Sequence, residues 1–567
     1  MPDLRLTFHP KPSRRQLLGW SFGVAGLAAI TACNSDGTDP GGGAGGEQGA
    51  VDLDGKDVGA MADYEAGKQF TATEPFELSI LWSDWPEQDI KPTWQLFDHI
   101  AELTNVTLVT SNVPFSDAVD RRNLLISAGD APQIIPLIYA GDEKPFVSGG
   151  AVLPMSDYIE HMPHYRKYVE DWDLQLLVDN LKQFDGKYYM VPGLREVSVP
   201  TFSLLVRTDI FEDLGLAIPE TWDELRDAMA TIKESNPDAI PLAEQFEGAS
   251  IINVAGPAFG TRAGWGFGDG MIDDGNGGLK YAGTSEEYRT MLEFFHGMVA
   301  DGLLDPETFT SKNAGAGSEV ITAKIFRGDV AVMGGAAGTV TEYMSKMDAT
   351  LGAGSYGLKM ITPPGGPAGP MIGSRGFWHG FMLTPDVAES PNFLATLQFL
   401  DWLYYSPEAR EMLRWGIEGE TYTKEGGTYT LSPDLSADLW NLNPDAPLDL
   451  QKDLGFSSFL AEATESRELI ESYSTESTIA YMDDVLANRT PREPNPPAPL
   501  DEMELEQAAI MQTPLKDTVD QATLQFILGQ RDLSEWDAYV AEVEAQGLQA
   551  FVDLVNGARQ RFVEANG

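Results

Sequence analysis

The sequence predicts an α/β protein organised around a mainly parallel sheet. Two observations carry that prediction. From Phe76 onward, short apolar runs of strand character alternate with helix-length amphipathic segments, the order in which strands and crossover helices build a layered fold. Hydrophobic residues make up 43% of the 567 residues, with 12 Trp, 18 Tyr and 26 Phe. At roughly 150 residues per domain, that is material for two or three globular units.

The elements follow in order. "FELSILWSDW" opens the folded body, with Leu78, Ile80 and Trp82 alternating as in a half-buried strand. A helix around "IKPTWQLFDHIAELTN" comes next, then a strand "VTLVTSNV", a helix "FSDAVDRRNLLISAGD" and a buried strand "APQIIPLIY". "DGKYYMVPG" (Asp185–Gly193) is a turn entering a strand, and "TFSLLVRTDIFEDLGL" begins a second α/β stretch. "IPETWDELRDAMATIKES" carries a helix start, because Pro219 precedes the capping-type Thr221 and Glu224 stands three residues later. "SEEYRTMLEFFHGMVADGLLDP" is a long amphipathic helix closed by Gly302. "NFLATLQFLDWLYYSPEAREMLRWG" and the segment from Leu533 to the end are helical too, and no internal repeat is visible. Trp222, Trp402 and Trp415 fall on helical patterns and are assigned to packing.

The N-terminus follows a different logic. Cys33 is the single cysteine of the chain, so neither an internal disulfide nor a thiolate metal site can be built. It ends an apolar run (Gln16–Ala32) that follows Lys11, Arg14 and Arg15, the layout of an export signal, too short and glycine-broken for a stable membrane span. Ser13-Arg14-Arg15-Gln16-Leu17-Leu18 resembles a twin-arginine signal, and Ile30-Thr31-Ala32-Cys33 resembles the bacterial lipobox. Residues 1–32 are therefore expected to be a signal peptide and Cys33 a lipid attachment point, holding the protein at a membrane surface by its acyl chains alone. Residues 33–75 are rich in glycine and acidic residues and are expected to form a flexible tether. Asp52, Asp54 and Asp57 in "DLDGKD" lack the remaining oxygens of a calcium loop, so no metal is assigned to them.

The formal charge is −49, and removing residues 1–32, with four basic residues and one acidic, takes it to −52. Such a surface repels nucleic acid and anionic lipid head groups, which excludes both as general partners. The lack of disulfides in an exported chain fits export after folding in a reducing compartment.

The ordered set of motifs resembles a known family. A lipoprotein signal leads to "SAGDAPQII", "DGKYYMVPG" and "LLVRTDIFEDLGLAIPETWDEL", then "FRGDVAVMGG", "YGLKMITPPGGP", "WGIEGETYT" and "FILGQRDLSEWDAYVAEVEAQGL". Over residues 76–567 the sequence resembles the extracellular solute-binding proteins of ABC importers, nearest the large oligosaccharide-binding lipoprotein branch that includes binders of alginate and xylan fragments. The resemblance implies a two-lobed periplasmic-binding-protein-like (class II) α/β fold, with a hinge, discontinuous lobes and the ligand in the cleft. The first crossing between lobes is expected near Val199, the return near Lys359 and a third near Arg410. Lobe one would then hold 76–199 and 359–410, and lobe two 200–358 and 411–567. Closure would bury the ligand and present a shape to the permease. Some relatives carry a structural calcium ion; no cofactor is predicted here. A monomer is expected, with an oligosaccharide and the permease as partners.

Sugars present apolar C–H faces ringed by hydroxyls, so their sites need aromatic platforms and polar rims. Trp82, Asp84 and Trp85 end the first strand, at the sheet edge where open α/β sheets bind ligands. Tyr139 and Asp142 occupy the equivalent place after "QIIPLI". Arg195 and Glu196 lie at the expected first crossing, where the family places polar ligand contacts. Trp265 stands in the glycine-rich "RAGWGFGD", and Arg375, Trp378 and His379 lie near the return, His379 as a hydrogen-bonded structural histidine. Arginine can grip a carboxylate through two parallel bonds. If Arg195 and Arg375 reach the cleft, the sugar is a uronate; if they serve structural ion pairs, it is neutral.

Two rival readings remain: a secreted glycoside hydrolase, and a receptor for a non-sugar solute such as a peptide. Among 87 acidic residues, adjacent carboxylates such as Asp273-Asp274 carry no weight for catalysis. His161 and His164 in "HMPH" lack the glutamate of a zinc-protease helix, and no nucleophile elbow or phosphate loop occurs. The sequence is therefore read as a receptor that performs no chemistry.

Overall fold

The computed structural model describes residues 53–84, 89–91, 93–312, 317–373, 377–437 and 442–566. The expected signal, Cys33, Trp85 and Arg375 lie outside them.

Two sheets organise the chain. The first runs in the order Val106–Pro114, Phe76–Asp84, Ile134–Ile138, Phe377–Leu383, Val191–Leu194. The second runs Leu358–Ile361, Phe202–Arg207, Val330–Ala336, Ile240–Ala243. Neither is mainly parallel. Phe377–Leu383 comes back from the second half of the molecule and enters the first sheet antiparallel to both neighbours. Phe202–Arg207 is antiparallel to both of its neighbours as well. Strands made within one half by βαβ crossovers do pair parallel, as Phe76–Asp84 does with Val106–Pro114.

Local sequence explains the elements. Thr221 and Glu224 form the full capping box of the helix Trp222–Ser235, each side chain bonding the other's backbone N–H. The helix Phe393–Tyr405 is buried almost all round. Trp222, Trp402 and Trp415 are fully buried.

The side chains divide into one large core around the first sheet and others on the two faces of the second. The chain leaves the first sheet after Leu194 and enters the second at Phe202. The later crossings differ from expectation. Leu358–Ile361 pairs with Phe202–Arg207 in the second sheet, so the return lies between Ile372 and Phe377, not near Lys359. Met412, Trp415, Tyr422, Phe459 and Leu469 all belong to the first core, so no crossing occurs near Arg410. The third passage falls between Tyr473, packed on the first core, and Tyr481, in a core of the second sheet.

The tether also proves shorter than expected. Phe70 and Ala72 are buried in the first core. Tyr64 donates to Asp401 (2.9 Å), and Met61 and Gln398 exchange two hydrogen bonds (2.9 and 3.0 Å). His164, from "HMPH", accepts from the Gly67 backbone (2.8 Å) and lies 2.8 Å from Asp401. This segment binds through a few scattered aromatic and aliphatic residues in irregular backbone, which leaves no periodicity to detect. Among the described residues, no helix is long and apolar enough to cross a membrane.

Candidate functional site

Strand direction decides what meets between the two sheets. Asp84, Ile138 and Leu194 end their strands at one edge of the first sheet, where the antiparallel Phe377–Leu383 begins, with Phe377 opposite Leu194. In the second sheet Phe202 begins its strand opposite Ala336, the end of its neighbour. The crossing segments link these edges, and there lies a cavity of about 470 Å³. Trp378 lines it from the first half; Phe202, Asn253, Arg262 and Trp265 line it from the second, and Arg492 from the segment after the third passage.

Trp265 is 48% exposed, although its ring meets Phe202 edge-on (centroids 4.9 Å) and Phe246 at a tilt (5.2 Å). Its loop lies against the helix Ala249–Ala258 so closely that a Cβ on Gly264 would fall 2.0 Å from the Ala249 carbonyl oxygen. Gly264 also has φ +54, which glycine adopts without strain. The loop thus needs glycine to bring Trp265 beside Asn253.

Trp378 faces a different constraint. The Arg195 guanidinium stacks over its ring (4.9 Å), and Tyr139 meets it edge-on (6.1 Å). Arg195 is fixed in turn by Glu465, whose Oε2 accepts at 2.6 Å. Glu465, 2% exposed, also accepts from Arg414 and Tyr473, each at 2.6 Å. Burial works against its charge, but Arg195, Arg414 and the Tyr473 hydroxyl outweigh it and hold the carboxyl below its usual range. Arg410 donates to the carbonyls of Thr464, Leu460 and Ala461, and burial, then Arg414, lowers its guanidinium to about 10.

The remaining expected residues separate cleanly. Trp82 is 1% exposed and packs on Trp94, Phe97 and Phe459, so it is core and not a platform. Its strand runs between two others, and these rings, Phe97 among them from the helix Gln95–Thr104, cover it, so strand-end position does not open it to the cleft. Asp84 accepts from the Ile90 backbone (3.1 Å) and Asp142 from that of Tyr139 (3.2 Å); Asp142 also pairs with Arg122 (3.1 Å). Glu196 accepts from the Arg467 backbone (2.6 Å). Arg195 is a structural ion pair that backs a cavity aromatic, so the carboxylate grip expected of it is already filled by Glu465. His379 is buried but has no hydrogen-bond partner at either ring nitrogen among the described residues, against the expectation of a bonded one. Burial, then Arg410 and Arg195, lowers it to about 3 and keeps it neutral. Trp265 and Trp378 are the expected residues that share the cavity, with Tyr139 touching Trp378.

Phe202, Asn253, Arg262 and Arg492 were not anticipated. Arg262 stands three residues before Trp265 in the same loop, a proximity that was available as a signal. Arg492 sits in "TPREPNPP", whose prolines mark an extended connection without saying what it faces. Among the described residues, no group of three or more His, Cys, Asp or Glu could hold a metal ion.

The family model of the bacterial extracellular solute-binding protein matches residues 84–404, more than half of the chain. The fructooligosaccharide ABC transporter substrate-binding protein FusA of Streptococcus pneumoniae is 23% identical over 94% of this chain and 95% of its own. The polygalacturonan/rhamnogalacturonan-binding protein YtcQ of Bacillus subtilis is 25% identical over 41% of this chain and 44% of its own. Among solved structures, the alginate-binding protein AlgQ2 without calcium ion superposes with a TM-score of 0.64 at 18% identity, covering 88% of this chain and all of that one. The two-lobed periplasmic-binding-protein-like fold is thereby shown.

Proposed function

We propose, on the premise that this chain belongs to the bacterial extracellular solute-binding proteins, that it captures an oligosaccharide between its lobes and delivers it to an ABC permease. The observation that carries the reading is the pair Trp265 and Trp378, one from each half, on the walls of one cavity. Flat aromatic surfaces take up the C–H faces of sugars, and Asn253 offers an amide to their hydroxyls. The names of relatives point the same way, to fructooligosaccharide, polygalacturonan and alginate. Lobe one would comprise 53–194 and 377–473, and lobe two 202–372 and 481–566, hinged through the crossing segments. Cys33 would carry the lipid that holds the receptor outside the cell.

Hydrolysis is the weaker reading. Glycoside cleavage needs a pair of carboxyl groups flanking the bond. Among the described residues that line the cavity, Glu493 is the single carboxylate. The test is tryptophan fluorescence and thermal melting of residues 34–567 against a saccharide panel, with product analysis. A ligand at 100 times its Kd stabilises by about 2.7 kcal/mol, which a melting curve resolves. A shift without turnover supports the receptor. No shift with any saccharide sinks it, and released fragments would favour the hydrolase.

A further inference from the structure

We infer that the ligand is an acidic saccharide whose carboxylate is held by Arg262 and Arg492; this rests on the receptor reading above and specifies its substrate class. The two arginines line the same cavity as Trp265 and Trp378. Arg492 donates one bond from its guanidinium to the Thr261 carbonyl (2.8 Å), the residue next to Arg262, and has no ion-pair partner among the described residues. Among the described residues, the ion pair of Arg262 is a long one, with Asp269 at 3.8 Å. Glu493 also lines the cavity, and Asp273 lies near enough to favour the charge on Arg492.

Such cations are conspicuous in this chain. There are 87 acidic residues for 38 basic ones, so carboxylate partners are abundant. Arg195, Arg207, Arg414 and Arg531 each hold one at 2.5–2.8 Å. Arg492 instead stands beside a second arginine. Burial, and then Arg262, lower its guanidinium from the usual value, and Asp273 opposes them only in part, so the two arginines are close enough to repel each other. The Thr261 hydroxyl is buried at the cavity wall and has no hydrogen-bond partner among the described residues. A carboxylate on the sugar would supply what all three lack: a charge shared by two guanidiniums, whose planar forks suit two parallel bonds, and an acceptor for the hydroxyl. Trp265 and Trp378 would hold the ring that carries it.

The experiment is calorimetric titration of the full chain in detergent with trigalacturonate and trimannuronate, their methyl esters, maltotriose, xylotriose and a sulfated disaccharide. Acid and ester differ by the charge alone. The expected result is a uronate bound at least tenfold more tightly than its own ester. Arg262→Gln and Arg492→Gln should each cut that ratio about tenfold, Arg492→Lys should recover part of it, and the free variants should melt as the parent does. The inference is overturned if an ester or a neutral trimer binds as tightly as the acid, or if the sulfated sugar binds and the uronates do not. In those cases the receptor reading stands. If no saccharide binds in any form, that reading fails first and takes this inference with it.

Discussion

Replacing Glu465 by glutamine should cost more stability than any surface ion pair could account for. The carboxylate is 2% exposed and takes three short bonds, from Arg195, Arg414 and Tyr473, each at 2.6 Å. Glutamine keeps the shape but takes from Arg414, 4% exposed, the anion it holds at 2.6 Å, while its bonds to the Ala461 carbonyl (3.0 Å) and Ser457 (3.5 Å) stay. Breaking a buried pair by removing one partner costs about 3–5 kcal/mol. At roughly 2–4 °C per kcal/mol for a domain of this size, the melting temperature should fall by about 10 °C. Arg195→Met is the internal control: its side chain is 23% exposed, water can take over part of its role, and the loss should be nearer 1 kcal/mol. The pH dependence has a defined sign. A carboxyl held below its usual value contributes stability that is present above the unfolded value, near 4.3, and is lost as pH falls through the folded one. The gap between parent and Glu465→Gln in calorimetric melting should therefore close in acid. A loss below about 1 kcal/mol at pH 7 would refute the idea that this anion ties Arg195 to Arg414 and Tyr473.

Trp265→Ala should leave the melting temperature of the free protein nearly unchanged, since the ring is half exposed, and weaken sugar binding by about 1–3 kcal/mol in titration. Trp82→Ala should do the reverse, costing about 3–5 kcal/mol of stability in denaturant unfolding with no selective loss of affinity by the variant that remains folded. Glu244 is fully buried and accepts from the backbone N–H groups of Phe246 and Gly248, yet burial raises it to about 8. A raised carboxyl contributes stability that is complete below the unfolded value and lost as pH rises through the folded one. The stability of the parent relative to Glu244→Gln, followed by melting from pH 5 to 8, should decline.

Much of the fold was legible because its signals are local. The strand Phe76–Asp84, the helix Trp222–Ser235 with its Thr221–Glu224 box, and the helices from Phe393 to Trp415 follow from spacing and capping. The helix Glu502–Ile527 escaped notice: it carries Pro514 inside and has a weakly amphipathic pattern, so it presents a break where the backbone continues. Non-local pairing was less accessible. Whether a returning strand joins its sheet parallel or antiparallel, and whether residues 412–469 pack on the first core or the second, depend on partners hundreds of residues away.

The site shows why residue type alone could not separate platform from core. Trp82 and Trp378 are both aromatics near a strand end at the same edge of the same sheet. One is sealed by Trp94, Phe97 and Phe459; the other stands near the start of the strand that follows the return between lobes, backed by Arg195 and Tyr139, and lines the cavity. The arginines repeat the lesson. Arg195 lies in the first crossing segment and Arg492 in the extended stretch after the third passage, and each is equally able to grip a carboxylate. Arg195 already holds Glu465, a partner that no spacing rule connects to it. In so acidic a chain a close carboxylate partner is common, and an arginine that lines a cavity while bonding a backbone carbonyl is the more informative case. That is why the proposed carboxylate contact is assigned to Arg262 and Arg492, and not to the arginine whose position in the sequence made it the obvious choice.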